Sequence, residues 1–166
     1  MGIGRRSGSW LRDRLGWAVR PTLVAVASRV FSLALLLVLG RMRHPHTWNP
    51  MALWDGWWYL EVAEKGYHAA PVHVNTALGI GYHDFAFLPG WPMTIRLAAG
   101  VGSGLGLGAP MAAAIAANLL FVLAAILIWR VLADRLGNRA ADRGLALLAF
   151  APPAFAFSMV YSEPLF

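Results

Sequence analysis

The chain has no cysteine, a single lysine and only eight acidic residues among 166. Without thiols it can form neither a disulfide nor a thiolate metal site. Only 13% of residues are charged while 58% are apolar, and the mean hydropathy is positive. Those proportions belong to a membrane protein. The basic residues, nearly all arginine, give a formal charge of +6, but they cluster beside apolar runs with no aromatic interleaving or nucleic-acid-binding motif. They therefore read as charge that sets membrane topology, and nucleic acid is not an expected partner. The preference for arginine, with abundant Ala, Gly and Leu, reads as the coding bias of a high-GC genome.

Two long apolar runs stand out. Residues 22–40, TLVAVASRVFSLALLLVLG, follow a tail rich in arginine (residues 1–21) and are about long enough for one crossing at ~20 residues. The run is too long for a signal peptide and no small-residue cleavage site follows, so it predicts a signal anchor. Arg29 interrupts it, and its guanidinium is expected to snorkel to the cytoplasmic side. Residues 109–132 are alanine-rich and uncharged until Arg130, which predicts a second transmembrane helix. A third is expected over 144–161, although Pro152 and Pro153 interrupt it. Between the last two lies ADRLGNRAADR, residues 133–143, a basic loop that belongs in the cytoplasm.

The run 85–108 is also apolar, but its prolines, glycines and Arg96 weaken it as a span. A crossing there would turn the basic loop outward, so an interfacial or re-entrant helix is expected instead. The resulting fold class is an all-α polytopic membrane protein with about three transmembrane helices. Residues 41–108 form one extracytoplasmic loop, and 162–166 begin a second. The N-terminus is cytoplasmic, the lipid bilayer is a partner, and the location is the plasma (cytoplasmic) membrane of a bacterium. Three crossings offer little shared interior, so the chain is expected to be the N-terminal part of a longer polytopic protein.

Loops of such length usually carry function, and this one holds most of the chemistry. LWDGWWYLEVAEKGY, residues 53–67, combines Trp54, Trp57, Trp58 and Tyr59 with four ionisable groups. On a helix starting near Leu53, Glu61, Glu64 and Lys65 share one solvated face, while Asp55 lies on the aromatic side. An Asp followed by Gly is an ordinary helix cap, and Trp and Tyr favour the membrane interface in any case. A carboxylate shielded by indoles at that depth also suits a general base acting on a lipid-borne sugar. The second stretch, YHDFAFLPGWP over 82–92, places His83 and Asp84 before a run that returns to the interface. Its ordinary reading is a cap and an anchor. The histidines at 68, 73 and 83 are too irregularly spaced for a ligand set. A divalent cation held by Asp55 and Asp84 is permitted by their oxygens but not shown, and no cofactor is assigned.

Taken in order, WDGWWYLEVAEKGY, DFAFLPGWPMTIRL, an alanine-rich span, a basic loop and FAPPAFAFSMVYSEPLF resemble the PIG-V-like mannosyltransferases. These are relatives of the second mannosyltransferase of GPI-anchor synthesis, within the GT-C class of membrane glycosyltransferases. The resemblance covers about residues 22–166. It implies a polyprenyl-phosphate sugar donor, typically carrying mannose, a lipid- or glycan-linked acceptor, and an essential acid in the first outer loop, here Asp55. It further implies Asp84 as the second acid, for substrate or metal, and Glu163 of the YSE block as a candidate at the second outer loop. Leu88 and Gly90 depart from a pattern that more often has two aromatics before the first proline. Arg96 is a candidate for the donor phosphate, against the plainer reading of an interfacial anchor. The competing function is a non-catalytic membrane subunit or scaffold whose loop binds a partner. A transporter is disfavoured because the strong spans contain no acid.

Single cysteines introduced at Ser7 and Asn138 are expected to stay protected from an impermeant thiol reagent in intact cells, with one at Ala70 labelled. Labelling at Asn138 but not at Ser7 would make 85–108 a true crossing.

Overall fold

The structure is a computed structural model in which residues 16–43, 52–71, 73–75 and 80–165 are described. Five α-helices dominate: α1 (Val19–Arg43), α2 (Asp55–Lys65), α3 (Gly90–Ser103), α4 (Ala109–Leu136) and α5 (Asn138–Phe150). Short 3-10 turns cover Gly16–Ala18, Asp84–Ala86, Pro152–Ser158 and Glu163–Leu165. The loop also contains an antiparallel pair, β1 (His73–Asn75) with β2 (Ile80–Tyr82), in the register His73↔Tyr82, Val74↔Gly81 and Asn75↔Ile80. This small pair departs from an all-α chain, because residues 73–75 and 80–82 use backbone pairing between strands instead.

Two helices are long and apolar enough to cross a membrane, Gly16–Met42 and Ala109–Leu136. At ~1.5 Å per residue each exceeds the ~30 Å hydrocarbon thickness. Leu23, Val30, Leu119 and Leu127 turn outward and are largely exposed, as side chains facing lipid would be. Inward, α4 presents Ala113, Ala117, Phe121, Ala125 and Trp129, all buried. This spacing of four residues puts them on one helix face, where the alanines let neighbours approach closely. Ala141, Leu145 and Ala149 of α5 pack into that stripe with Ala25 of α1.

The expected basic loop 133–143 is helical at both ends. Helices α4 and α5 are separated by Gly137 alone, at a φ of 82°, a conformation that glycine adopts without a Cβ penalty. Ala, Leu and Arg favour helix strongly enough to extend both helices to the turn. Helix α3 has 14 residues and so reaches only ~21 Å, short of a crossing. It forms a hairpin with α4, and a Cβ on the buried Gly102 would sit 2.9 Å from that of Ala112.

The run 144–161 is not one transmembrane helix: α5 ends at Phe150 and a 3-10 turn follows from Pro152. Prolines lack the N–H that would serve the carbonyls four residues earlier, so Pro153 leaves that of Ala149 without an intrahelical donor. Arg29 fills this gap. Its Nη2 donates to the Ala149 carbonyl at 3.0 Å, while Nη1 donates to the Ala154 carbonyl at 2.7 Å and to Ser158 Oγ at 3.1 Å. The guanidinium also lies 4.0 Å from the centroid of Phe121. Ser158 Oγ donates onward to Asn118 Oδ1 of α4 at 3.0 Å. Arg29 is 3% exposed and does not snorkel, because the broken helix needs its donors inside.

Replacing Arg29 with Met removes these donors together, and each buried carbonyl left unpaired costs ~1–3 kcal/mol. Arg29→Met is expected to lower stability by about 2 kcal/mol or more in detergent unfolding, with Arg29→Lys between it and wild type. A variant as stable as wild type would contradict this role.

Candidate active site

Helix α2 carries the aromatic cluster and begins at Asp55. The position before it is held by Trp54, whose φ of 43° is the one positive value among described non-glycine residues, and no side-chain cap hydrogen bond forms. Asp55 is therefore the first helical residue and not the cap. Its carboxylate is exposed, takes no hydrogen bond from any described residue, and sits where the helix N-terminus favours negative charge. Strained backbone beside such a group is common at working sites.

The burial pattern of α2 explains its placement. Gly56, Leu60, Val62 and Ala63 are buried, and Leu60 and Ala63 pack with Trp91 and Ile95 of α3, Ala113 and Ala117 of α4, and Val160. A Cβ on Gly56 would lie 3.3 Å from the Val160 carbonyl oxygen and 3.6 Å from a ring carbon of Tyr161. A residue this small lets the start of α2 meet the 160–163 segment without displacing it. One turn on, Tyr59 Oη and Ser162 Oγ are 2.9 Å apart. The opposite face is solvated, with Lys65 Nζ 2.9 Å from Glu61 Oε1 and Glu64 exposed, as the helical spacing indicates.

These contacts bring Asp55 and Glu163 around Tyr161. Burial, and then the charges of Asp55 and Glu163, push the Tyr161 phenol up to about 12. Below that pH it stays neutral and can donate a hydrogen bond between the two acids. Beside them an apolar cavity of about 660 Å³ runs under Trp54 and Trp57, bounded by Leu35 of α1 and by Phe150, Pro152 and Met159. Both indoles are exposed.

Asp84 occupies a separate, adjoining place. It is fully buried, and its Oδ2 accepts the backbone N–H of His68 at 3.0 Å and its ring Nδ1–H at 2.9 Å. Burial pushes the Asp84 carboxyl up, but the hydrogen bonds from His68 and from its own backbone outweigh this and hold it below the usual range. Oδ1 has no partner among the described residues. Phe87 connects the two places: Trp58 stacks on it at 5.5 Å, Tyr59 meets it edge-on at 5.0 Å, and the Tyr67 hydroxyl donates to its carbonyl.

His83 does not join its neighbour Asp84; it is exposed and stacks on Phe85 at 5.2 Å. Arg96 donates from Nε to the Ala63 carbonyl, tying α3 to the last turn of α2. Among the described residues no three His, Asp or Glu side chains come together to hold a metal ion. With Asp84 turned to His68, the acids do not fit a shared cation site, and no step is derived through one. Sequence reasoning missed His68, Tyr161 and Ser162. The YSE block named the last two without revealing their partners, and nothing in the spacing marks a contact across sixteen residues.

A family model described as Mannosyltransferase (PIG-V) matches residues 25–166. No curated protein and no solved structure matches the chain. The family match runs from within α1 through the loop that carries Asp55 and Asp84, α4, α5 and the 160–163 segment. The chain belongs to the PIG-V mannosyltransferase family, a membrane glycosyltransferase family.

Proposed function

We propose that this protein moves a mannosyl group from a polyprenyl-phosphate donor to a hydroxyl of a lipid- or glycan-linked acceptor, at the outer face of the cytoplasmic membrane, with inversion. The acceptor oxygen attacks the anomeric carbon while the bond from that carbon to the phosphate oxygen breaks, and its electron pair leaves with the lipid phosphate. Asp55 takes the acceptor's proton. A single displacement needs its base on the face opposite the leaving group, and a positioned base contributes ~10²- to 10⁴-fold.

The observation that carries this reading is the exposed Asp55 carboxylate, without a hydrogen bond from any described residue, between the cavity-lining Trp54 and Trp57 and next to Gly56, against which the Tyr161 ring packs. A lipid tail suits the cavity, and the tryptophans at its mouth suit headgroup depth. Glu163 and the neutral Tyr161 hydroxyl supply an acceptor and a donor for the acceptor substrate. The Arg96 guanidinium lies beside Gly66, and its charge suits the donor phosphate.

Transfer of labelled mannose by the full-length protein in membranes tests the assignment. Asp55→Asn preserves size and helix start but cannot take a proton, so it should lose at least ~10²-fold in rate. Glu61→Gln, on the solvated face, should be nearly silent at matched abundance. More than about half the activity retained by Asp55→Asn would remove Asp55 from the mechanism.

A further inference from the structure

Asp84 is the one buried acid among the described residues, and the displacement above makes no use of it. Its Oδ2 holds His68 twice, through the backbone N–H at 3.0 Å and the ring Nδ1 at 2.9 Å. An ionised carboxylate can only accept, so the proton of the neutral imidazole sits on Nδ1 and the lone pair on Nε2. The His68 side chain is 34% exposed, and Nε2 has no partner among the described residues. A histidine with a fixed ring, a fixed tautomer and an open acceptor atom therefore adjoins the Asp55 side of the loop. Phe87 links them: it touches Tyr59, and the hydroxyl of Tyr67, the residue before His68, is committed to its carbonyl.

The geometry points to Asp84 as a positioning residue that sets the His68 tautomer, and to His68 Nε2 as the acceptor of a hydrogen bond from one hydroxyl of the transferred sugar. This rests on the mannosyl-transfer reading above. A sugar on a lipid phosphate presents two kinds of polar group. Its phosphate oxygens and ring oxygen only accept, and its hydroxyls alone can donate. An imidazole whose free nitrogen only accepts is complementary to the hydroxyls and not to the phosphate.

A plain loop staple requires no more than an acceptor at position 84, which Asn supplies. Because one oxygen, Oδ2, accepts both His68 N–H groups, Asn places its carbonyl oxygen there and keeps the proton on Nδ1, whereas Leu removes the acceptor. Asp84→Leu therefore frees the tautomer, as His68→Phe removes the lone pair and keeps a ring, and a loss of discrimination confined to one hydroxyl separates positioning from stapling.

The experiment uses the full-length protein in membranes, with a lipid-phosphate mannose and a set of analogues each lacking one sugar hydroxyl. Wild type is expected to lose about tenfold in kcat/KM at one hydroxyl, the effect of ~1.4 kcal/mol of lost binding. Asp84→Asn should still distinguish that analogue, whereas His68→Phe and Asp84→Leu should each fall about tenfold on the parent donor and no longer do so. The double variant should be no worse than either single one. His68→Gln, whose amide oxygen reaches toward the Nε2 position, should restore part of the discrimination. Uniform losses on every analogue, with lowered abundance, would reduce the pair to a staple and overturn the inference. A loss of ~10²-fold or more in kcat with discrimination intact would make His68 a proton acceptor and overturn it as well. Wild-type transfer with both variants unaffected overturns this inference alone, whereas absence of transfer in wild type overturns the mannosyl-transfer reading and this inference with it.

Discussion

A single guanidinium, buried among apolar side chains, supplies the hydrogen-bond donors that a broken helix lacks. Pro152 and Pro153 stop α5 between the buried Ala149 and Ala154, and the Ala149 carbonyl lacks a helical partner. Arg29 reaches across from α1 to the Ala149 and Ala154 carbonyls and to Ser158. Ser158 then engages Asn118 of α4. Three chain segments are tied at one point, and the direction in which the chain continues past Ser158 depends on it.

What continues past Ser158 is half of the candidate site. The 160–163 segment lies against the start of α2, where Gly56 leaves room for the Val160 backbone and the Tyr161 ring. Tyr59 and Ser162 close the same contact one turn later. Asp55 and Glu163 thereby face one phenol, although more than a hundred residues separate them. A helix that ran unbroken through 144–161 would carry Tyr161 and Glu163 along its own axis. The proline break and the buried arginine are thus part of how an acid in the first loop acquires partners from the far end of the chain.

Much of this arrangement was legible in the sequence. The apolar runs predict α1 and α4, the three ordered aromatic and proline blocks carry the family resemblance, and the glycines, prolines and Arg96 of 85–108 favour an interfacial or re-entrant helix over a span. Local pattern did not reveal the long-range pairings. Arg29 reads as a snorkelling side chain because the carbonyls it serves lie some 120 residues away. The prolines read as a blemish in a third span, although they end its helix. Asp84 reads as a cap or as an acid for substrate or metal, since nothing marks its contact with His68. Asp55 reads as a helix cap, yet the cap position falls to Trp54, whose unusual φ no residue pattern announces.

The most direct test of the central claim is a disulfide between cysteines placed at Gly56 and Val160. The Gly56 Cβ position is 3.6 Å from Val160 Cβ, within the range that a disulfide bridges, and the chain has no native cysteine to compete. Mild oxidation should close the bond in the Arg29 background, read as loss of labelling by a mass-tagged maleimide, and Arg29→Met should sharply reduce it. Failure of the pair to close in the Arg29 background, or equal closure with Met at position 29, would contradict the dependence of the site on the buried arginine.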